Sequence, residues 1–315
     1  MSPNTPLLPG GAKKKRDGHS HIFSRVCHSA WPYMGQKTLL YFRGAVVAYL
    51  LAAFFIVLGS EMHYLPNYQN DNGPIGNPDE PPASDPVESV GNSRWLIPFE
   101  FPNISLLIQI IYGVIAVTWT YSHAYFPDYR YDDSDSLKSK LRRFISPPKR
   151  SDKTKNHLWF SIFYTAATSY PLVASFLYWA ILGPHDKTAV PEEDFWKFGS
   201  YSTFYIVHKY IVSAVLALTE VFWFSSLCRQ SPIITHITGL GLMSIVYIGW
   251  AYLGYYLTGR LAYYYLDYKN LGWEYAATSS LLFIAIGIAA FAVVYFITAV
   301  REVLSKKAAD KARES

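Results

Sequence analysis

Cysteine is almost missing from this chain: Cys27 and Cys228 are the two in 315 residues. Two thiols cannot build a disulfide framework or a structural zinc cage. Both fall in segments that read as cytosolic, where thiols stay reduced. They are juxtamembrane, so S-acylation and inert thiols both stay open. Charge is scarce too: Asp, Glu, Lys and Arg make up 16% of residues. The motifs of soluble enzymes are lacking. There is no nucleophile elbow, phosphate loop, Rossmann fingerprint or zinc spacing, and no HxxxH pair. No metal ligand set and no cofactor is therefore implied. No nucleic-acid motif accompanies the net charge of +5. Internal repeats are lacking, as are matched Gly/Pro-broken helices of the transporter kind. Nor is there a cleavable signal peptide: the first apolar run begins near residue 38 and is too long for a signal core.

What remains is apolar and aromatic. Hydrophobic residues make up 51% and aromatics 17%, with 26 Tyr and 9 Trp. Six stretches approach bilayer length, about 20 residues each: 38–59, 103–125, 158–183, 203–226, 234–257 and 277–300. Tyrosine and tryptophan suit the headgroup level. Tyr255, Tyr256, Tyr263, Tyr264, Tyr265 and Tyr268 crowd the boundary after the fifth stretch.

Basic residues set the orientation. With the arm carrying Lys13, Lys14, Lys15 and Arg16 placed in the cytosol, alternation fixes every later segment. Of 28 Lys and Arg, 21 then fall in cytosolic segments and 5 in outer ones, while Arg43 and Lys209 lie inside spans. That asymmetry is a strong positive-inside signal. It predicts an all-α, polytopic membrane protein: a six-helix transmembrane bundle with both termini cytosolic. The expected domains are a disordered basic cytosolic arm (1–37), a membrane domain (38–304) and a cytosolic tail (305–315). The membrane domain includes a long acidic outer loop (60–102) and a cytosolic linker (126–157). The linker's Asp128, Asp132, Asp133 and Asp135 lack the turn glycine and distal Glu of a calcium loop. Asn103-Ile-Ser105 fits a glycosylation sequon at a membrane boundary. Either the endoplasmic reticulum or the plasma membrane suits such a protein.

Ionisable residues inside a span are functional candidates by default. Arg43 and Glu220 each lie five to six residues in from the cytosolic side, roughly 8–9 Å deep at ~1.5 Å per residue. Equal depth and opposite charge predict a structural ion pair between spans one and four. His208 lies about one turn below the outer face. Asn103, Ser105 and Gln109 lie at comparable depth on span two, with 105 and 109 on one face. A histidine facing a hydroxyl and amides is the minimum for nucleophilic hydrolysis, with His208 as base and Ser105 as nucleophile. The same residue types also serve as interhelical hydrogen-bond glue or bind a metal. Lys209, about 100° round the helix from His208, is expected to snorkel outward.

Particular residues carry a resemblance. His208-Lys-Tyr-Ile, then Glu220, then Tyr256-Leu-Thr258-Gly259 and Tyr263 through Asp267 resemble the androgen-induced membrane hydrolase family. So do Pro171 with Trp179 on span three, Arg94-Trp95 before span two and Gln109 within it. Tyr41-Phe-Arg43 and the Tyr-x-Leu-Asp267 segment also resemble the rolling-stone group of six-span proteins. The hydrolase resemblance implies cleavage of fatty-acyl esters by an intramembrane threonine and a histidine. The histidine corresponds to His208. The threonine's place is taken by Phe99 or Pro102, depending on which motif is aligned. Ser105 is the nearest hydroxyl, about one turn deeper, and Thr258 is a supporting polar residue. The rolling-stone resemblance implies instead a role in membrane fusion or organisation. Two functions follow. One is an intramembrane lipid-ester hydrolase that draws substrate from the bilayer; the other is a non-catalytic membrane organiser or partner-binding protein. A weaker third is proton-coupled transport through His208, Glu220 and Arg43. Membrane lipids are partners in each, nucleic acid in none, and the sequence names no protein partner.

Overall fold

In lipid every backbone N–H and C=O must be satisfied within the segment or by a closed barrel. The six apolar stretches meet that demand as six helices, each long and apolar enough to cross a membrane. The computed structural model describes residues 22–71, 95–126, 137, 140, 146–148, 154–182, 204–229, 231–259 and 261–314. Among them every regular element is helical. This is an all-α, multi-pass membrane protein. Lys13 to Arg16, Arg94, the Asp128–Asp135 run and Ser202 lie outside the described residues.

A short helix, α1 (Ile22–Val26), precedes α2 (Gln36–Asp71). A 3-10 turn at Ile97–Phe99 leads into α3 (Phe101–Tyr125). Helix α4 (Thr154–Phe176) is prolonged by a π-helical turn at Leu177–Leu182. Helix α5 (Phe204–Phe224) contains two π-helical segments, Val207–Val212 and Glu220–Phe224. Helices α6 (Ile233–Thr258) and α7 (Trp273–Glu314) follow. Proline marks the starts: Pro98 and Pro102 sit in first turns, where a missing N–H matters least. Helix α6 stops at Gly259, whose φ of 74° suits glycine and whose N–H bonds the Tyr255 carbonyl at 2.8 Å.

Three expected boundaries are corrected. Helix α2 was expected to end at 59 but continues to Asp71, so residues 60–71 are helix rather than outer loop. Helix α7 runs to Glu314, so the tail is helical up to that residue. Hydropathy marks where lipid ends, not where a helix ends, and neither extension begins with a helix breaker. Within the arm Ile22–Val26 form a helix rather than disordered chain, and the Phe23 ring packs against those of Trp119 at 5.5 Å and Phe160 at 5.5 Å. Behind it, Trp31 Nε1 donates to the Phe222 carbonyl at 2.8 Å, tying the arm to the end of α5.

Helix α4 is the centre of the bundle, with 72% of its apolar window buried against 22% for α2. It packs on α3, α5, α6 and α7, while α2 lies outside on α3. Lipid is as apolar as the side chains, so close packing rather than escape from water must hold these helices together. Phe101, at the start of α3, meets Tyr170 of α4 at 5.1 Å, Tyr247 of α6 at 4.9 Å and Phe283 of α7 at 4.9 Å. Gly254 lets the 3-10 turn lie against α6: a Cβ there would stand 2.5 Å from the Phe99 ring.

Candidate functional site: two buried charge clusters

The bundle has a basic end, near α1 and the start of α2, and an opposite end, where α3 and α5 begin. Each holds a buried charge cluster.

At the basic end Arg43 of α2 is 2% exposed. Its guanidinium donates to Glu220 Oε1 at 2.6 Å, Thr120 Oγ1 at 2.9 Å, and the Val26 and Phe224 carbonyls at 2.5 and 3.1 Å. The Tyr112 hydroxyl donates to the same carboxylate oxygen at 3.0 Å. The planar fork of arginine suits this work, since several donors point at fixed acceptors. Arg301 of α7 was missed, because it falls just past the sixth apolar run. It is 1% exposed and donates to the carbonyls of Val221, Ser225 and Leu227. These close the end of α5, so Arg301 acts as its cap.

At the opposite end the structure corrects the expectation for Lys209. It does not snorkel outward; it is 1% exposed. Its ammonium bonds Glu61 and, at 2.6 Å, Glu100, and donates to the Tyr205 hydroxyl at 3.1 Å. Glu61 also accepts from Tyr205 at 3.0 Å and from Asn103 Nδ2 at 3.0 Å. Asn103 reaches the Ile97 carbonyl at 3.0 Å and Glu100 at 3.5 Å. Asn103 is thus tied into the cluster and buried, not presented as a glycan acceptor. Both acids were missed because they stand past the ends of apolar runs, Glu61 on the polar extension of α2 and Glu100 at the N-cap of α3. A search for acids within two turns of each apolar run would have found them. Burial pushes the Glu100 carboxyl up to about 7; Lys209 works against this shift and Glu61 adds to it.

No hydrogen bond joins the expected catalytic residues, His208 and Ser105. His208 is half-buried, with Nδ1 2.6 Å from the Phe204 carbonyl. Its ring stacks on Phe204 at 3.6 Å and lies 5.7 Å from Tyr49 of α2. A carbonyl only accepts, so Nδ1 carries a proton and Nε2 is the nitrogen turned away from that bond. Ser105 is 2% exposed and its hydroxyl has no hydrogen-bond partner. Gln109 Nε2 donates instead to the Ser213 carbonyl at 2.9 Å, joining α3 to α5. The Thr258 hydroxyl donates to the Gly254 carbonyl at 2.7 Å. Thr165 and Thr168 likewise bond carbonyls of their own helix, at 2.9 Å each. One serine does meet a histidine: Ser161 Oγ stands 3.5 Å from His236 Nε2. That pair is sealed, at 4% and 2% exposure, and His236 Nδ1 has no partner. Among the described residues no group of three or more His, Cys, Asp or Glu could hold a metal.

Two further features lie near the basic end. Cys27 is buried and Cys228 exposed, beside the Arg25 guanidinium, so of the two thiols Cys228 is the one open to acylation. Between α2 and α3 an apolar groove of about 540 Å³ is lined by Tyr41, Gly44, Ala45, Ala48, Val117 and Tyr121, among others. No family model matches the chain, nor does any curated protein or any solved structure.

Proposed function

We propose that this protein is a membrane organiser or partner-binding protein, working through its lipid-facing surface rather than through chemistry at His208. One observation carries the reading. Among the described residues no hydrogen bond joins a hydroxyl to His208: its Nδ1 bonds the Phe204 carbonyl, and the Ser105 hydroxyl is buried without a hydrogen-bond partner. The groove supports it as well. Gly44 and Ala48 have the small-xxx-small spacing that lets another helix approach closely, and a Cβ at Gly44 meets nothing within 4 Å. The resemblance to the rolling-stone proteins agrees.

Lipid-ester hydrolysis is the second reading, favoured by the Nε2 of His208, which is turned away from the Phe204 carbonyl. A lipid-tailed fluorophosphonate applied to the full chain in membranes separates the two. The organiser reading expects no stoichiometric labelling. Labelling lost on Ser105→Ala would replace that reading with the hydrolase; labelling lost on Ser161→Ala would move the chemistry to His236.

A further inference from the structure

The Lys209 cluster has a charge problem that the organiser reading does not use. Two carboxylates, Glu61 and Glu100, share one ammonium. With both ionised the site holds a net charge of minus one, in a place where Lys209 and Glu61 have side-chain exposures of 0% and 1%. An uncompensated charge is expensive away from water. The site therefore calls for one more positive charge.

Geometry says where that charge sits and what it is. Both oxygens of Glu61 are already engaged: Oε1 accepts from Lys209 and Tyr205, and Oε2 from Asn103. Three donors therefore fill this carboxylate's acceptor sites. Glu100 has Lys209 and only a long contact from Asn103. The two carboxylates meet on one ammonium, so each raises the cost of the other's charge, and a proton on one of them relieves it. The described residues supply two carboxylates here, too few for the oxygen cage of a divalent cation. Glu100 is the less enclosed of the two acids, with a side chain 22% exposed against 1% for Glu61.

We propose that Glu100 is a proton-exchange site. Its carboxylate takes one proton from the aqueous phase at that end of the bundle and gives it back to water. Uptake converts the carboxylate to the acid and brings the cluster from minus one to zero, with no other bond made or broken. Among the described residues the titratable groups around it are Glu61 from α2, Tyr205, Lys209 and Tyr210 from α5, Tyr247 from α6, and Tyr263 from the segment before α7. Lys209 is the cation among them. Release leaves two anions on one lysine at the seam of α2, α3 and α5, so the proton also sets how firmly α2 is held there.

Infrared titration of the full chain in nanodiscs tests this. The carbonyl stretch of a protonated carboxyl is followed from about pH 5 to about pH 9, bracketing a raised glutamate. One band should disappear with a midpoint near neutral, unchanged when sodium is replaced by choline, and be missing in Glu100→Gln. Asn103→Ala, which removes a donor to Glu61, should move the midpoint upward. The proposal is overturned if no carboxyl titrates in that range, if the band survives in Glu100→Gln, or if the midpoint follows sodium. A sodium-dependent midpoint would assign the missing charge to a metal cation. Should Glu100→Gln fail to fold, the wild-type titration and the salt exchange still decide.

Discussion

A buried arginine has a fixed fork of donors to satisfy, and the two terminal nitrogens of Arg43 bond Glu220, Thr120 and two carbonyls. Taking away one side leaves the other charged and alone, which costs about 3–5 kcal/mol for a buried pair. Arg43→Gln and Glu220→Gln should each lower thermal stability in detergent by that order, and the double variant should be milder than their sum. Harmless single variants, or strict additivity, would mean that the pair contributes nothing. This pair was legible because both partners lie inside apolar runs, where depth can be counted. Lys209 was not, because its partners stand beyond the runs, where counting had stopped. His28 gives a pH test. Burial, followed by the nearby His123, pushes its imidazole down to about 4. The unfolded chain takes up this proton near 6.5, while the folded one resists until about 4. Stability is therefore complete above the unfolded value and falls as pH drops from there toward the folded one, by about 2 kcal/mol at about pH 5. Melting between about pH 7 and pH 5 should fall further in the wild type than in His28→Gln. Equal slopes would clear His28 of any part in acid sensitivity.

At the level of the helix, apolar length and helical length are different quantities. The six runs were placed to within a few residues because lipid dictates them, yet α2 extends to Asp71 and α7 to Glu314 through polar sequence. Those extensions carry functionally placed residues, Glu61 on one and Arg301 on the other. The π-helical segments of α5 were also illegible, since no residue type announces them. They hold Lys209 and Glu220, the two charges α5 presents to other helices. Such turns are enriched at functional sites. Where α5 ends, the carbonyls of its last turn and of the residues that follow need donors, and Arg301 serves those of Val221, Ser225 and Leu227. Arg301→Met would strand the carbonyls of Val221, Ser225 and Leu227. At about 1–3 kcal/mol for each buried group left unmade, thermal unfolding in detergent should come several degrees earlier. Arg301→Lys should recover only part, because a point charge cannot reproduce the fork. A methionine variant as stable as wild type would show that water serves these carbonyls equally well.

Across the whole molecule the two charge clusters sit at opposite ends, joined by apolar helix, and this polarity must match the membrane's own. Arg43 and Arg301 share one end, both bound to the last turn of α5 and the residues that follow it. Lys209 with its two acids occupies the other, so the carboxylate excess of that site faces away from the basic residues. Anionic cytoplasmic lipid favours the first end inward, and the distribution of Lys and Arg argues the same way. A proton taken up by Glu100 would then come from the outer or lumenal water. Glycosylation tags decide the orientation, because the modifying enzyme works on that side alone. Tags placed within residues 72–92 should be modified, and tags within 127–136 should not. The reverse pattern would turn the bundle over. It would move the Glu100 site to the cytosol, yet leave both clusters intact, since their pairing depends on depth within the bundle and not on which water lies beyond it.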